Sequence, residues 1–153
     1  MRHAHFVVLF TVLYTLLFAV LMPFFPYSDS KAKLDNKASE VFTLMNDERT
    51  KNGLQPLQWR GDMDTAATIR TMESMTLWSH TRPDGSPWWT ADDNLLYGEN
   101  LGKEFKTPKG VMKAWMESKS HAENILNKDY TGVYVKVMES SDGTLYWTQE
   151  FTY

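Results

Sequence analysis

The sequence predicts an α+β domain behind a membrane segment, and three observations predict it. A nearly unbroken apolar run occupies residues 6–25. Apolar residues then recur at helical spacing through the middle of the chain, and from Gly132 onward the period changes to two. Helices first and an antiparallel pair last is the order expected when helices pack on a sheet.

At 153 residues the chain holds one domain with a core of ordinary size. Aromatic residues make up 14%, which favours a buried core over a disordered tail. The net charge is -3 and no Lys/Arg stripe is interleaved with aromatics, which excludes nucleic acid as a partner. With no cysteine, disulfides, zinc fingers and thiol nucleophiles are excluded as well. An exported protein lacking cysteine fits a bacterial origin better than a small animal secreted domain.

The run FVVLFTVLYTLLFAVLMPFF matches the roughly 20 residues that cross a bilayer as a helix. It exceeds the about 7–15 apolar residues of a secretory signal, and the residues after it offer no small-x-small cleavage site. An uncleaved signal anchor is therefore preferred to a removed signal peptide within residues 1–27. Arg2 on one side balances Lys31 and Lys33 on the other, so charge does not set the orientation. Residues 28–33 read as a polar linker and residues 34–153 as the folded domain.

Leu34, Ala38, Val41, Phe42 and Met45 form the inward stripe of a first helix that stops at Asn52-Gly53. Pro56 keeps the following link extended. A second helix starts near Gly61 or Asp62 and shows Met63, Ala66, Ala67, Arg70, Ser74 and Leu77 on one face. It stops at Trp78-Ser79-His80. NLLYGENL, around Gly98, reads as an irregular extended segment. Thr107-Pro108 opens a third helix as N-cap and N1. Val133, Val135 and Val137 alternate with Tyr134, Lys136 and Met138, Asp142-Gly143 turns, and residues 145–151 run back as the second arm of a hairpin.

Between the third helix and the hairpin the chain stops and restarts. Ser120 with Glu123 predicts a capping box. His121 then falls at the first helical position, where the positive end of the helix favours neutral imidazole. His80, Glu99, Glu117 and His121 are the residues that could carry chemistry: two imidazoles with carboxylates are the ligand set of a catalytic divalent metal, or an acid/base pair without one. Each also has a plain alternative. His80 reads equally as a helix C-cap, His121 as an ordinary helix-start residue and Glu117 as a solvated side chain.

Five motifs follow one another in order: Ser79-His80-Thr81-Arg82-Pro83-Asp84-Gly85, Gly98-Glu99-Asn100-Leu101, Trp115 with Ser118, Ser120, His121, Asn124, Ile125 and Leu126, then Gly132-Val133, then Tyr146-Trp147-Thr148-Gln149 with Phe151. Together they strongly resemble the CAP superfamily (cysteine-rich secretory proteins, antigen 5, pathogenesis-related 1) in its bacterial SCP-like branch. The resemblance covers residues 34–153. It implies a three-layer α-β-α sandwich with a central antiparallel sheet. It also implies a cleft where His80, Glu99 and His121 meet, with Asn100 beside them, able to hold zinc or another divalent ion in several members. The chain departs from the family twice: Glu117 stands two residues after Trp115 where a glutamate is usual three after, and Ser118-Lys119-Ser120 replaces Ser-Pro-Gly. One residue turns a helical side chain by roughly 100°, which aims Glu117 away from the cleft.

Two functions are compatible with these motifs. The preferred one is a binding or interaction module, secreted or held at the outer face of a membrane, whose cleft takes a lipid, glycan or peptide. The aromatics Trp78, Trp88, Trp89, Tyr97 and Trp115 flank its motifs, Trp115 and Trp147 being better placed for core packing. The alternative is a metal-assisted hydrolase acting on peptides or esters, with His80 and His121 as ligands and Glu99 as base or third ligand. The chain shows no recognisable nucleophile or oxyanion motif, which favours the module.

Overall fold

The computed structural model describes residues 27–153, of which Lys31–Tyr153 form one compact unit. The apolar run at residues 6–25 lies outside the described residues. Among those described, no helix is long and apolar enough to cross a membrane. The elements are α1 (Tyr27–Lys51), β1 (Gln58–Trp59), α2 (Asp64–Thr76), β2 (Gly98–Lys103), α3 (Pro108–Glu117), α4 (Lys119–Ile125), β3 (Gly132–Glu139) and β4 (Leu145–Thr152). Single 3-10 turns sit at Gly61–Met63 and Trp88–Ala91.

α1 begins earlier than its apolar stripe, so the stretch expected as a linker at residues 28–33 is helical. Neither glycine nor proline interrupts it, and with Ala32 as its one apolar residue it carried no periodic signal. Ala38, Val41 and Met45 are buried along one face. The Asn52-Gly53 stop is in place: Leu54 N donates to Arg49 O at 2.9 Å across the turn. Arg49 continues the buried stripe as a staple. Its guanidinium donates to the carbonyls of Gln55, Ile125 and Asn127, tying the end of α1 to the end of α4.

The sheet order is β1-β3-β4-β2. β3 and β4 form the expected hairpin, closed where the Asp142 carboxylate accepts from Ser140 Oγ and Thr144 N. β2 pairs antiparallel with β4, but β1 runs parallel to β3, so the sheet is mixed rather than wholly antiparallel. The extended link after Pro56 lies beside the start of β3, where Gln58 N donates to Thr131 O and Arg60 N to Val133 O.

Alternation along β3 separates two packed faces. Val133, Val135 and Val137 join α1, α3 and α4 in one core with Val41, Val111, Trp115 and Ile125. Tyr134 and Lys136 point the other way, and both donate to Asp64 at the start of α2 at 2.8 Å. There Met63, Ala66 and Leu96 form a second cluster. Helices thus cover both faces, and β2, at the end of the sheet, lies where the two helical layers open.

Candidate functional site

β2 is an edge strand pressed into tight quarters. A Cβ on Gly98 would lie 2.5 Å from the Tyr130 hydroxyl, and one on Gly102 would lie 2.7 Å from Val111 Cγ2, so both positions exclude a side chain. The strand's outward carbonyls do not face solvent unpaired. Asn124 Nδ2 donates to Glu99 O at 3.1 Å and Trp115 Nε1 to Leu101 O at 2.9 Å.

Because successive strand residues point to opposite faces, Glu99 and Asn100 each organise one wall. Glu99 enters the α2 layer. Its Oε2 accepts from Arg70 Nε at 2.8 Å, and its Oε1 from Arg70 Nη2 at 3.2 Å and from His80 Nδ1 at 2.7 Å. Arg70 also holds Ser79 O and Glu73, and Glu73 in turn accepts from Arg82. Arg82, Glu73, Arg70 and Glu99 are therefore one chain of alternating charge, with the His80 imidazole hydrogen-bonded at its end. Asn100 enters the opposite layer, donating to His121 O at 3.1 Å and Gln149 Oε1 at 3.0 Å while accepting from Asn124.

Burial alone would push the Glu99 carboxyl up. The hydrogen bonds from His80 and Arg70, with the Arg70 charge, outweigh it and hold the group below the usual carboxylate range. An ionised Glu99 only accepts, so the proton of a neutral His80 sits on Nδ1 and Nε2 keeps its lone pair. The His80 side chain is 53% exposed while that of Glu99 is fully buried. Burial, and then the nearby charge of His80, lower the pKa of His121 and favour its neutral form. Glu150 faces Glu99 across the β2–β4 ladder. It is wholly buried, and neither of its oxygens has a hydrogen-bond partner among the described residues. Burial first, and the charge of Glu99 second, push its carboxyl well above the ordinary range.

His80, Glu99 and His121 all line one cleft of about 270 Å³, together with Trp88, Tyr97, Gly98, Ser120 and Asn124. Glu117 is elsewhere. It is exposed, 3.7 Å from Lys113, and lines a groove between α1 and α3. Ser120 makes no capping box: Ser118 is the N-cap, without a side-chain cap, and α4 starts at Lys119. His121 is consequently the third residue of that helix. Nor does His80 cap a helix, because α2 ends at Thr76 with Leu77 as its C-cap.

The cleft does not fit a metal ion held by three protein ligands. Both Glu99 oxygens are committed to Arg70 and His80, and among the described residues no group of three His, Cys, Asp or Glu is arranged to hold one. Two imidazoles remain as free donors. Arg70 is the functional residue that sequence reasoning passed over. Its signal was a cation on the inward face of a helix, which requires buried acceptors opposite, whether backbone carbonyls or a carboxylate.

The model of the cysteine-rich secretory protein (CAP) family matches residues 42–151. YkwD of Bacillus subtilis is 39% identical over 119 residues, covering 73% of this chain and 45% of its own length. The membrane protein YlbC of the same organism is 28% identical, over 81% of this chain and 37% of its own. This chain therefore spans less than half the length of either relative. In fold it is similar to an SCP-domain extracellular protein from Bacillus anthracis, with TM-score 0.66, 23% identity, and coverage of 77% of this chain and 40% of that one. With a family model that covers most of the domain, the chain belongs to the CAP family.

Proposed function

We propose that this protein is an extracytoplasmic binding module, anchored by residues 6–25, whose ligand is recognised in the cleft along β2. One observation carries the reading. Two buried charges, Arg70 and Glu99, are spent on holding a single exposed imidazole by its Nδ1 at the wall of that cleft. Burying an ion pair carries a desolvation cost, and here the buried pair fixes the His80 ring through its Nδ1. The extracellular SCP-domain protein and the membrane protein among its relatives support a location outside the cytoplasmic membrane.

The test is a binding survey of the full-length chain in detergent micelles against anionic and zwitterionic vesicles, short peptides and oligosaccharides, followed by imidazole resonances. The expected result is a ligand that moves the His80 and His121 signals and loses affinity in His80→Ala. Ligands that bind without moving either signal, or a panel with no binder, would end the proposal.

A second reading has one observation behind it. An imidazole oriented by a carboxylate is the arrangement of a general base, and the Ser120 hydroxyl lines the same cleft. Turnover of a peptide or ester panel, abolished by His80→Ala, would replace the module with a hydrolase. In that reaction Glu99, sealed and doubly engaged, orients the base rather than acting as one.

A further inference from the structure

The cleft has a larger neighbour. A cavity of about 500 Å³ lies along the second half of β2, lined by Trp78, Leu101, Gly102, Phe105, Trp115 and Ser118 among others. His121 is shared by both cavities, which neighbour each other beside the strand as two separate parts of its trench. Half-exposed aromatic rings stand in each part: Trp78, 49% exposed, in the larger, and Tyr97, 45% exposed, in the smaller. Hydroxyl, amide and imidazole groups complete the lining at Ser118, Ser120, His121 and Asn124.

The charge of this trench is internally balanced. Glu99 is neutralised by Arg70, and Lys103 stands 3.7 Å from Glu104 and over the Tyr146 ring. An anionic or cationic ligand finds no uncompensated partner in it. A peptide adding as a strand finds the outward acceptors at Glu99 and Leu101 already taken by Asn124 and Trp115. A proline-rich peptide would use the aromatic rings but would leave most of the hydroxyl and imidazole groups without partners. A sugar ring meets both demands: its C–H face packs on an aromatic ring and its rim of hydroxyls hydrogen-bonds the flanking polar groups.

We infer that the trench along β2 binds a neutral oligosaccharide, with one sugar ring packed on Trp78 and another on Tyr97. This deepens the binding-module reading and rests on it. The experiment titrates the full-length chain in micelles with uncharged tetrasaccharides (chitotetraose, cellotetraose, maltotetraose), with a proline-rich peptide and with a charged heparin tetrasaccharide. Tryptophan fluorescence and His80 and His121 resonances are followed. At least one neutral tetrasaccharide should bind and shift both histidines. Trp78→Ala and Tyr97→Ala should each weaken it roughly tenfold, while Met72→Ala, an exposed apolar change outside the trench, leaves it unaltered. Preference for the peptide or the charged sugar, or a neutral sugar indifferent to both aromatic variants, would overturn the inference. If no sugar binds but another probe moves the histidines and needs His80, the glycan assignment falls and the module stands. If no probe moves them, both fall.

Discussion

Glu99 and Glu150 are the same residue type on paired positions of neighbouring strands, yet the fold pushes their carboxyl pKa values in opposite directions. The difference is the guanidinium. Arg70 and His80 hydrogen-bond Glu99 and favour its ionised form, whereas neither oxygen of Glu150 has a hydrogen-bond partner among the described residues, and the charge of Arg70 does not offset its burial and the charge of Glu99. Their contributions to stability run in opposite directions with pH. Glu99, depressed below its ordinary 4.5, stabilises the fold above that pH, and the contribution is lost as pH falls through its folded value. Glu150, raised above 4.5, costs nothing below that pH, and the fold loses stability as pH rises above it because only the unfolded chain ionises freely. Glu150→Gln removes this second titration. Its melting temperature relative to wild type should therefore be higher at pH 7.5 than at pH 4.5, and an unchanged difference would mean that Glu150 is not held protonated. Glu99→Gln removes the partner of a buried cation and should cost about 3 kcal/mol by denaturant unfolding, with the acid limb flattened. Loss of His80 Nδ1 protonation in nitrogen-detected spectra of that variant separates orientation of the ring from mere stability.

At the scale of elements, β2 decides where the cleft can be, and β2 was the element hardest to see beforehand. A half-buried strand shows itself by alternation, but Gly98–Lys103 is buried on both faces and carries Glu99 and Asn100 in consecutive places. The sequence therefore reads as irregular although the ladder is regular. The hairpin and the first three helices were legible because Val133, Val135 and Val137, the Ala38–Met45 stripe and Thr107-Pro108 each carry a local signal. β1 showed only as the extended link after Pro56 and not as a strand, being two residues long and held by its parallel neighbour. The motif residues around β2 were legible as a group, but their work was not: Asn124 and Trp115 read as helix residues, whereas they cap the strand's outward carbonyls. Asn124→Leu leaves Glu99 O and Asn100 Oδ1 without that donor. A loss of about 1–3 kcal/mol is expected from these buried acceptors, together with a concentration-dependent rise in light scattering as the uncapped edge becomes available for strand pairing. Full stability with no self-association would show that the caps are dispensable.

For the molecule as a whole, the question is whether two layers meeting at a sheet edge make a metal centre or a recognition trench. The α2 layer brings His80 and the α4 layer brings His121, each to one cleft. The third donor that sequence reasoning supplied, Glu99, is withdrawn by Arg70, a residue on a helix that no spacing rule connects to it. Two imidazoles alone make a weak zinc site. A site of three protein donors, saturated a hundredfold above its dissociation constant, would stabilise the fold by about 2.7 kcal/mol, which for a domain of this size is a melting shift on the order of 10 °C. Low-micromolar zinc is expected to produce no such shift in the full-length chain, and millimolar chelator is expected to leave both melting temperature and ligand affinity in place. A shift of that size, lost in His80→Ala and in His121→Ala, would show that Glu99 leaves Arg70 for the metal and that the closed network seen here is only the metal-free arrangement.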